Sequence, residues 1–263
     1  MDALHALRGK IARIERHRPV DAPVLASLGV DDVDRALGGG LARGRLHELF
    51  AIEREDAAGA AGFATMLACL MLPDGAPVLW LRQEETERRD GRLHAPGLAE
   101  IGLDPARLVL AVLPDPVTLL RAAADVVRCA EVGAVVIELW SNPRALDLTA
   151  SRRLAVAAEA SGVTALMLRA QAEPAPSAAQ TRWAVRTAVS TALDAQAPGH
   201  TVLDIALLRQ RGRPSGGRWL LEWHREQARF GQTLASAAAA SGAVATAAER
   251  GPAGGAETFQ RTG

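Results

Sequence analysis

The residues with the clearest chemical pattern are a glycine-rich turn, an apolar strand and a segment of small residues that follow one another between positions 38 and 62. They read GGGLARGRLHELF from Gly38 to Phe50 and AIEREDAAGAAG from Ala51 to Gly62. A strand that runs into G-x-x-x-x-G-K-[S/T] and then a helix binds nucleotide phosphates through backbone N–H groups, a lysine and a Mg²⁺-binding hydroxyl. The chemistry suggested by this spacing is therefore phosphate binding.

The side chains that would perform this chemistry are missing. Position 60, where the lysine is expected, is alanine, and so is position 61, where the hydroxyl is expected. The single lysine of the chain is Lys10, although arginine is abundant. Three carboxylates in the loop, those of Glu53, Glu55 and Asp56, would repel a triphosphate. We therefore predict no bound cofactor, no enzymatic activity and a degenerate phosphate-binding loop at Ala51, Gly59, Ala60, Ala61 and Gly62.

Two acidic residues accompany later apolar strands. Glu84 ends the segment VLWLRQE, and Glu138 ends the segment VVIE. They are candidates for a general base and for a metal-associated acid, but a general base needs a water beside a bound phosphate. Because the phosphate cradle is degraded, the favoured interpretation is that both are vestigial acids at the solvated ends of their strands.

The surrounding elements predict an α/β fold. Strand and helix patterns alternate from residue 45 to residue 169, which indicates a parallel sheet flanked by helices. Strand-like periodicity returns between 182 and 223 as an antiparallel C-terminal extension. We predict an N-terminal amphipathic helix and linker over 1–23, a core domain over 24–231, and a disordered tail over 232–263, where large apolar residues are scarce. The apolar stripe of the N-terminal helix includes Leu4, Leu7 and Ile11, and it is a candidate docking surface.

Composition excludes several classes of function. The net charge is zero, so the chain as a whole is not expected to attract nucleic acid electrostatically. Apolar residues make up 49% of the chain. The six histidines show no metal-ligand spacing, and we predict no metal site. No signal peptide and no run long enough to cross a membrane are present in the sequence. These features predict a cytoplasmic protein.

A basic segment near the C-terminus combines arginine with tryptophan. Between residues 205 and 230, six arginines against two glutamates leave a net charge of +4. Arginine with aromatic residues serves both single-stranded DNA contacts and protein interfaces. The third interpretation is an exposed hairpin whose tryptophans, four residues apart and so on one strand face, cover the sheet. The candidate partner-binding residues are Arg209, Arg211, Arg213, Arg218, Trp219, Trp223 and Arg225. The loop 170–180 has no basic residue, so DNA binding is not expected there.

The order of these elements resembles the RecA core, and three phrases resemble the ImuA family of RecA-like accessory proteins. The phrases are GRLHELF at 44–50, GRLHAPGLAEIGLDPARL at 91–108 and LLRQRGRPSGGRWLLEW at 207–223. The resemblance implies a RecA-like sheet and a role in SOS-induced mutagenic translesion DNA synthesis. It also implies an ImuB-like inactive Y-family polymerase and an error-prone DnaE-type polymerase as partners, RecA as a partner of some members, and weak or indirect DNA contact.

Two other functions stay open at this stage. A residual nucleotide-binding RecA-like ATPase would retain affinity for ATP through the helix N-terminus, which attracts anions. A cell-division inhibitor similar to SulA would share the RecA-like fold without a phosphate-binding loop. The favoured prediction is a non-catalytic accessory protein that acts through docking surfaces.

Overall fold

The computed structural model describes residues 23–73, 75–193, 197 and 199–233. Eleven strands lie in these ranges, and the first two form a separate small ladder. The strands are β1 (Leu25–Ala26), β2 (Leu41–Ala42), β3 (Leu46–Ala51), β4 (Val78–Gln83), β5 (Leu108–Leu113), β6 (Ala134–Trp140), β7 (Thr164–Ala170), β8 (Thr181–Ala188), β9 (Val202–Gln210), β10 (Arg218–His224) and β11 (Arg229–Gln232).

The main sheet has nine strands in the order β11-β10-β9-β8-β3-β7-β6-β4-β5. The strands from β8 to β5 in this order pair in parallel. The pairs β8–β9, β9–β10 and β10–β11 are antiparallel. The predicted parallel sheet with an antiparallel C-terminal extension is therefore confirmed.

Helices cover both faces of the sheet, as the alternating pattern predicts. They are α1 (Asp31–Leu37), α2 (Ala57–Met71), α3 (Glu84–Asp90), α4 (Ala95–Ile101), α5 (Pro116–Val126) and α6 (Leu148–Ser161). On one face, α2 packs against β3, β7 and β8; on the other, α5 packs against β4 and β6, and α6 packs against β7. The inner strands are consequently buried on both faces, which explains their continuous apolar sequences.

Local signals set the ends of the helices on the second face. Asp115 caps α5 by accepting hydrogen bonds from the backbone N–H groups of Val117 and Thr118, and Pro116 occupies the first helical position. Asp147 caps α6 in the same way, and Gly162 ends it in the left-handed conformation at φ 82°. These caps fix where the two helices leave the sheet.

A buried polar chain joins the start of β3 to β8. Trp183 Nε1 donates to Thr181 Oγ1, which lies 2.7 Å from His47 Nδ1, and His47 Nε2 lies 2.9 Å from the carbonyl oxygen of Ala42. Because a carbonyl only accepts, Nε2 carries the proton and Nδ1 accepts from Thr181. Burial lowers the pKa of His47 to about 4, so the ring is neutral near pH 7.

The structure differs from the sequence prediction at several boundaries. The helices α1 and α3 and the strand β11 were not predicted, since each has seven or fewer residues and few apolar ones. The folded region extends past the predicted boundary at 232, because Gln232 belongs to β11 and Thr233 is buried. The predicted N-terminal helix with Leu4, Leu7 and Ile11 lies outside the described residues, as does 234–263. No helix in the described ranges is long and apolar enough to cross a membrane.

Candidate functional site

The loop between β3 and α2 occupies the place where a phosphate-binding loop would lie. It contains a short 3₁₀ turn, Arg54–Asp56, directly before α2. The buried carboxylate of Asp56 accepts hydrogen bonds from the backbone N–H of Glu53 at 3.2 Å, from the backbone N–H of Thr187 at 2.9 Å and from Thr187 Oγ1 at 3.1 Å. The side chain of Glu53 in turn accepts a hydrogen bond from the backbone N–H of Asp56.

This arrangement places the chain's own negative charge at the helix N-terminus. Helix N-termini attract anions because their first N–H groups lack intrahelical partners and the helix dipole is positive there. In a phosphate-binding loop the ligand supplies that anion. Here the Asp56 carboxylate places a negative charge at this end of α2, and its hydrogen bonds go to Glu53 and Thr187 rather than to the first N–H groups of the helix, so that it ties the loop to β8. An incoming phosphate would meet a buried carboxylate and the nearby side chains of Glu53 and Glu55.

The structure corrects the sequence alignment of the loop motif. Ala60 is fully buried in the core, in the first turns of α2, so a side chain there points away from the loop. The residues at the loop end of the helix are Ala57 and Ala58, and they too lack a cation and a hydroxyl. Since β3 ends at Ala51 and α2 begins at Ala57, the lysine position of such a motif lies nearer to residue 57 than to residue 60.

The remaining small residues of the motif have packing roles. A Cβ on Gly59 would lie 2.5 Å from Thr187 Cγ2, so glycine allows β8 to approach the helix. A Cβ on Gly62 would be 3.7 Å from Ile101, an ordinary contact distance, and Ala61 is partly buried beside the core. Close helix–strand packing therefore explains Gly59 without any phosphate.

The two candidate acids lie in contrasting environments. Glu84 is the first residue of α3, exposed, and 3.8 Å from Arg88, as expected for a residue at a strand end. Glu138 is buried, which contradicts the expectation of a solvated rim. Its Oε2 atom lies 3.0 Å from Arg82 Nε and 2.7 Å from Trp80 Nε1. Burial raises the pKa of Glu138, and Arg82 opposes that rise. The carboxylate is engaged in a buried ion pair between neighbouring strands.

A second buried charge cluster, which no sequence pattern indicated, lies on the opposite face of the sheet. Arg182 Nε donates to Glu48 Oε2 at 2.7 Å, and a second nitrogen of Arg182 donates to the carbonyl of Ala175. The guanidinium groups of Arg169 and Arg182 lie 5.6 and 5.7 Å from the ring centroid of Phe50. No sequence signal pairs these residues, because only the β7–β3–β8 order brings them together.

The loop at 170–180, which lacks basic residues, is held against the domain. Arg182 binds the carbonyl of Ala175, and Ser177 Oγ lies 2.9 Å from Ser151 Oγ on α6. Ser151 also accepts from the backbone N–H of Ala178 at 2.8 Å. The expectation that this loop does not bind DNA stays a prediction.

The arginine-rich hairpin separates into a buried aromatic side and an exposed basic side. Trp223 is buried, packs against Phe230 and donates to the carbonyl of Ile101 at 2.8 Å, so it cannot meet a partner. Trp219 is half-buried beside Trp183. The burial of Trp223 corrects its assignment as a partner-binding residue, whereas the assignment of the half-buried Trp219 stays a prediction. The exposed basic residues are Arg209, Arg211, Arg213, Arg218 and Arg225, of which Arg218 pairs with Asp204.

Two of these arginines line a groove, which we call the α6–β9 groove. Its volume is about 510 Å³, and its walls come from α6, the 176–179 segment and the end of β9. Leu148 and Val156 contribute exposed apolar surface to it. Arg152, Arg209 and Arg211 contribute positive charge, and Glu159, which pairs with Arg45, contributes one negative charge. The basic segment of the sequence indicated Arg209 and Arg211 but not the α6 side of the groove, since the α6 residues are distant in the chain.

Comparisons with known proteins agree with this architecture. No protein-family model matches the chain. Two proteins named ImuA, from Caulobacter vibrioides strains NA1000 / CB15N and ATCC 19089 / CB 15, are each 34% identical to it over 215 residues, covering 76% of this chain and 83% of theirs. The crystal structure of the RadB recombinase matches with a TM-score of 0.53 at 17% identity, over 80% of this chain and 100% of that one, which supports the RecA-like fold alone. By the extent of its likeness to the two curated relatives, the chain belongs to the ImuA family.

Proposed function

We infer that the chain is a non-catalytic RecA-like adaptor in a mutagenic translesion DNA synthesis assembly. The observation that supports the non-catalytic part is the position of Asp56, whose buried carboxylate lies at the N-terminal end of α2 and accepts hydrogen bonds from the loop N–H of Glu53 and from Thr187. Membership of the ImuA family supports the translesion role. The partners proposed on that basis are an ImuB-like inactive Y-family polymerase, a DnaE-type polymerase and RecA.

The buried ion pair of Glu138 with Arg82 supports the same proposal. An acid that acts on Mg²⁺ or on water must be able to reach it, but Glu138 is buried and bound to both Arg82 and Trp80. Glu84 is exposed, yet it has no phosphate cradle beside it on which to act. ATP hydrolysis would thus require two separate rearrangements.

The α6–β9 groove is the docking surface that we propose within the described residues. Apolar side chains flanked by arginines fit an acidic segment that also presents apolar residues, because charge steers the encounter and burial adds affinity. The burial of Trp223 favours this protein partner over single-stranded DNA, since stacking on bases needs exposed aromatic rings. The N-terminal segment with Leu4, Leu7 and Ile11 stays a second candidate surface.

Isothermal titration with ATP and Mg²⁺ tests the non-catalytic role. We expect no saturable binding at ligand concentrations near physiological levels and no phosphate release. Tight binding, or turnover that is lost in Glu84→Gln, would establish the residual ATPase instead.

Charge reversal tests the docking surface. The double variant Arg209→Glu, Arg211→Glu should weaken co-purification with the ImuB-like polymerase of the same organism. The matched control Arg121→Glu, Arg144→Glu changes two exposed arginines elsewhere and should leave it intact. Equal recovery of the partner with both variants would refute the groove assignment. Truncation before β9 is unsuitable, because it removes three strands of the main sheet.

A further inference from the structure

Three potential metal-binding side chains meet on the antiparallel extension, although they are far apart in the sequence. Glu222 and His224 are two residues apart on β10 and so point to the same face of the strand. His200 precedes β9, and β9 pairs with β10 such that Val202 lies opposite Glu222. Continuing this antiparallel register brings His200 opposite His224, and their rings are 5.2 Å apart.

The three side chains are close enough to share one ion. One ligand atom from each of His200, Glu222 and His224 lies within 4.8 Å of the other two. Tetrahedral zinc, with bonds of 2.0–2.2 Å to nitrogen and oxygen, needs ligand atoms about 3.3 Å apart. A contraction of about 1.5 Å is available through side-chain rotation, because His200 is exposed and the other two are only partly buried.

The surroundings leave room for a bound ion. Gly231 on β11 lies opposite Glu222, and a Cβ at Gly231 would be 2.4 Å from His224 Nε2, so glycine makes space for the imidazole. Both histidines line a groove of about 760 Å³ between α4 and the extension, which gives an ion access from solvent. In the described part of the chain, no hydrogen bond or ion pair competes for the three ligand side chains.

We propose that His200, Glu222 and His224 bind a divalent transition-metal ion, with zinc as the preferred ion. Two imidazoles and one carboxylate form a ligand set typical of zinc, and hard ions such as Mg²⁺ and Ca²⁺ prefer all-oxygen sites. Three protein ligands leave a fourth position for water or for a side chain of a partner. The ion would clip the start of β9 to the end of β10.

Titration of the full-length, tag-free chain with ZnCl₂ against a chromophoric chelator tests this site. We expect the wild-type chain to bind one zinc ion per chain. The zinc affinity of His224→Ala and of Glu222→Gln should each be lower than that of the wild-type chain by a factor of about ten or more. The control His94→Asn alters an exposed histidine that caps α4 and should bind zinc as the wild-type chain does. Circular dichroism confirms that each variant is folded.

Cobalt provides a second readout that is independent of affinity. Tetrahedral Co²⁺ absorbs in the visible range, and we expect this band with the wild-type chain and its loss in His200→Ala. Zinc binding that is equal in wild type, His224→Ala and Glu222→Gln would overturn the proposal, as would binding that is lost only in variants of His5 or His17.

Discussion

Replacing Asp56 tests whether its carboxylate holds the loop before α2 in place against β8. In Asp56→Ala, the carboxylate that accepts from Glu53 N–H and from both donors of Thr187 disappears. Hydrogen bonds to a charged group contribute about 1.5–3 kcal/mol each, but they are not additive. Because Thr187 is exposed, water can replace part of the hydrogen bonding that Thr187 loses. The favourable interaction between the carboxylate and the dipole of α2 is lost as well. We expect the free energy of unfolding to fall by about 2–3 kcal/mol.

The assay is urea denaturation followed by circular dichroism, with thermal melting in parallel. For a domain of this size, the expected loss lowers the melting temperature by about 5–10 °C. The control Glu55→Ala removes an exposed carboxylate from the same loop and should cost less than about 0.5 kcal/mol. If Asp56→Ala is as stable as Glu55→Ala, the Asp56 carboxylate does not hold the loop against β8.

Three further predictions concern His47, Gly59 and Glu138. The pKa of His47 is about 4 in the folded chain and about 6.5 in the unfolded chain. The folded state should therefore lose about 3 kcal/mol of stability as the pH falls from 6.5 to 4, with no effect above this window. Denaturation of His47→Gln across the same pH range should show a smaller change in stability. Gly59→Ala should destabilise by about 1–2 kcal/mol through a clash with the Thr187 methyl group, and adding Thr187→Ser should restore stability if the clash is the cause. Glu138→Ala leaves Arg82 charged and buried, so we expect a loss of about 3–5 kcal/mol in urea denaturation, and a loss below 1 kcal/mol would show that the pair is dispensable.

Periodicity predicted the central elements well, because buried strands and amphipathic helices have long, regular apolar patterns. The alternation of strand and helix patterns predicted from residue 45 to residue 169 corresponds to the strands β3 to β7 and the helices α2, α4, α5 and α6. The short helix α1 escaped prediction, since Asp31–Leu37 has few apolar residues and is held in place by the tertiary structure.

The charged pairs could not be predicted from spacing. Arg82 meets Glu138 because β4 lies beside β6, with β5 at the outer edge, and the sequence does not state that order. For the same reason, the proximity of His200 and His224 could not be predicted, since strand register alone brings the two residues together. The interaction of Asp56 with Glu53 does have a local signal in the sequence, since the two residues have the three-residue spacing of a reciprocal cap.

The tether from Asp56 to Thr187 has a consequence for timing. A protein that is switched by a nucleotide needs a loop with two conformations of which the nucleotide stabilises one, so that hydrolysis returns the loop to the other. Here the loop, the helix α2 and the strand β8 are joined by bonds that depend on no ligand. We expect such a chain to have the same affinity for its partners whether ATP is abundant or exhausted. Its assembly would then be governed by how much of each protein the cell makes.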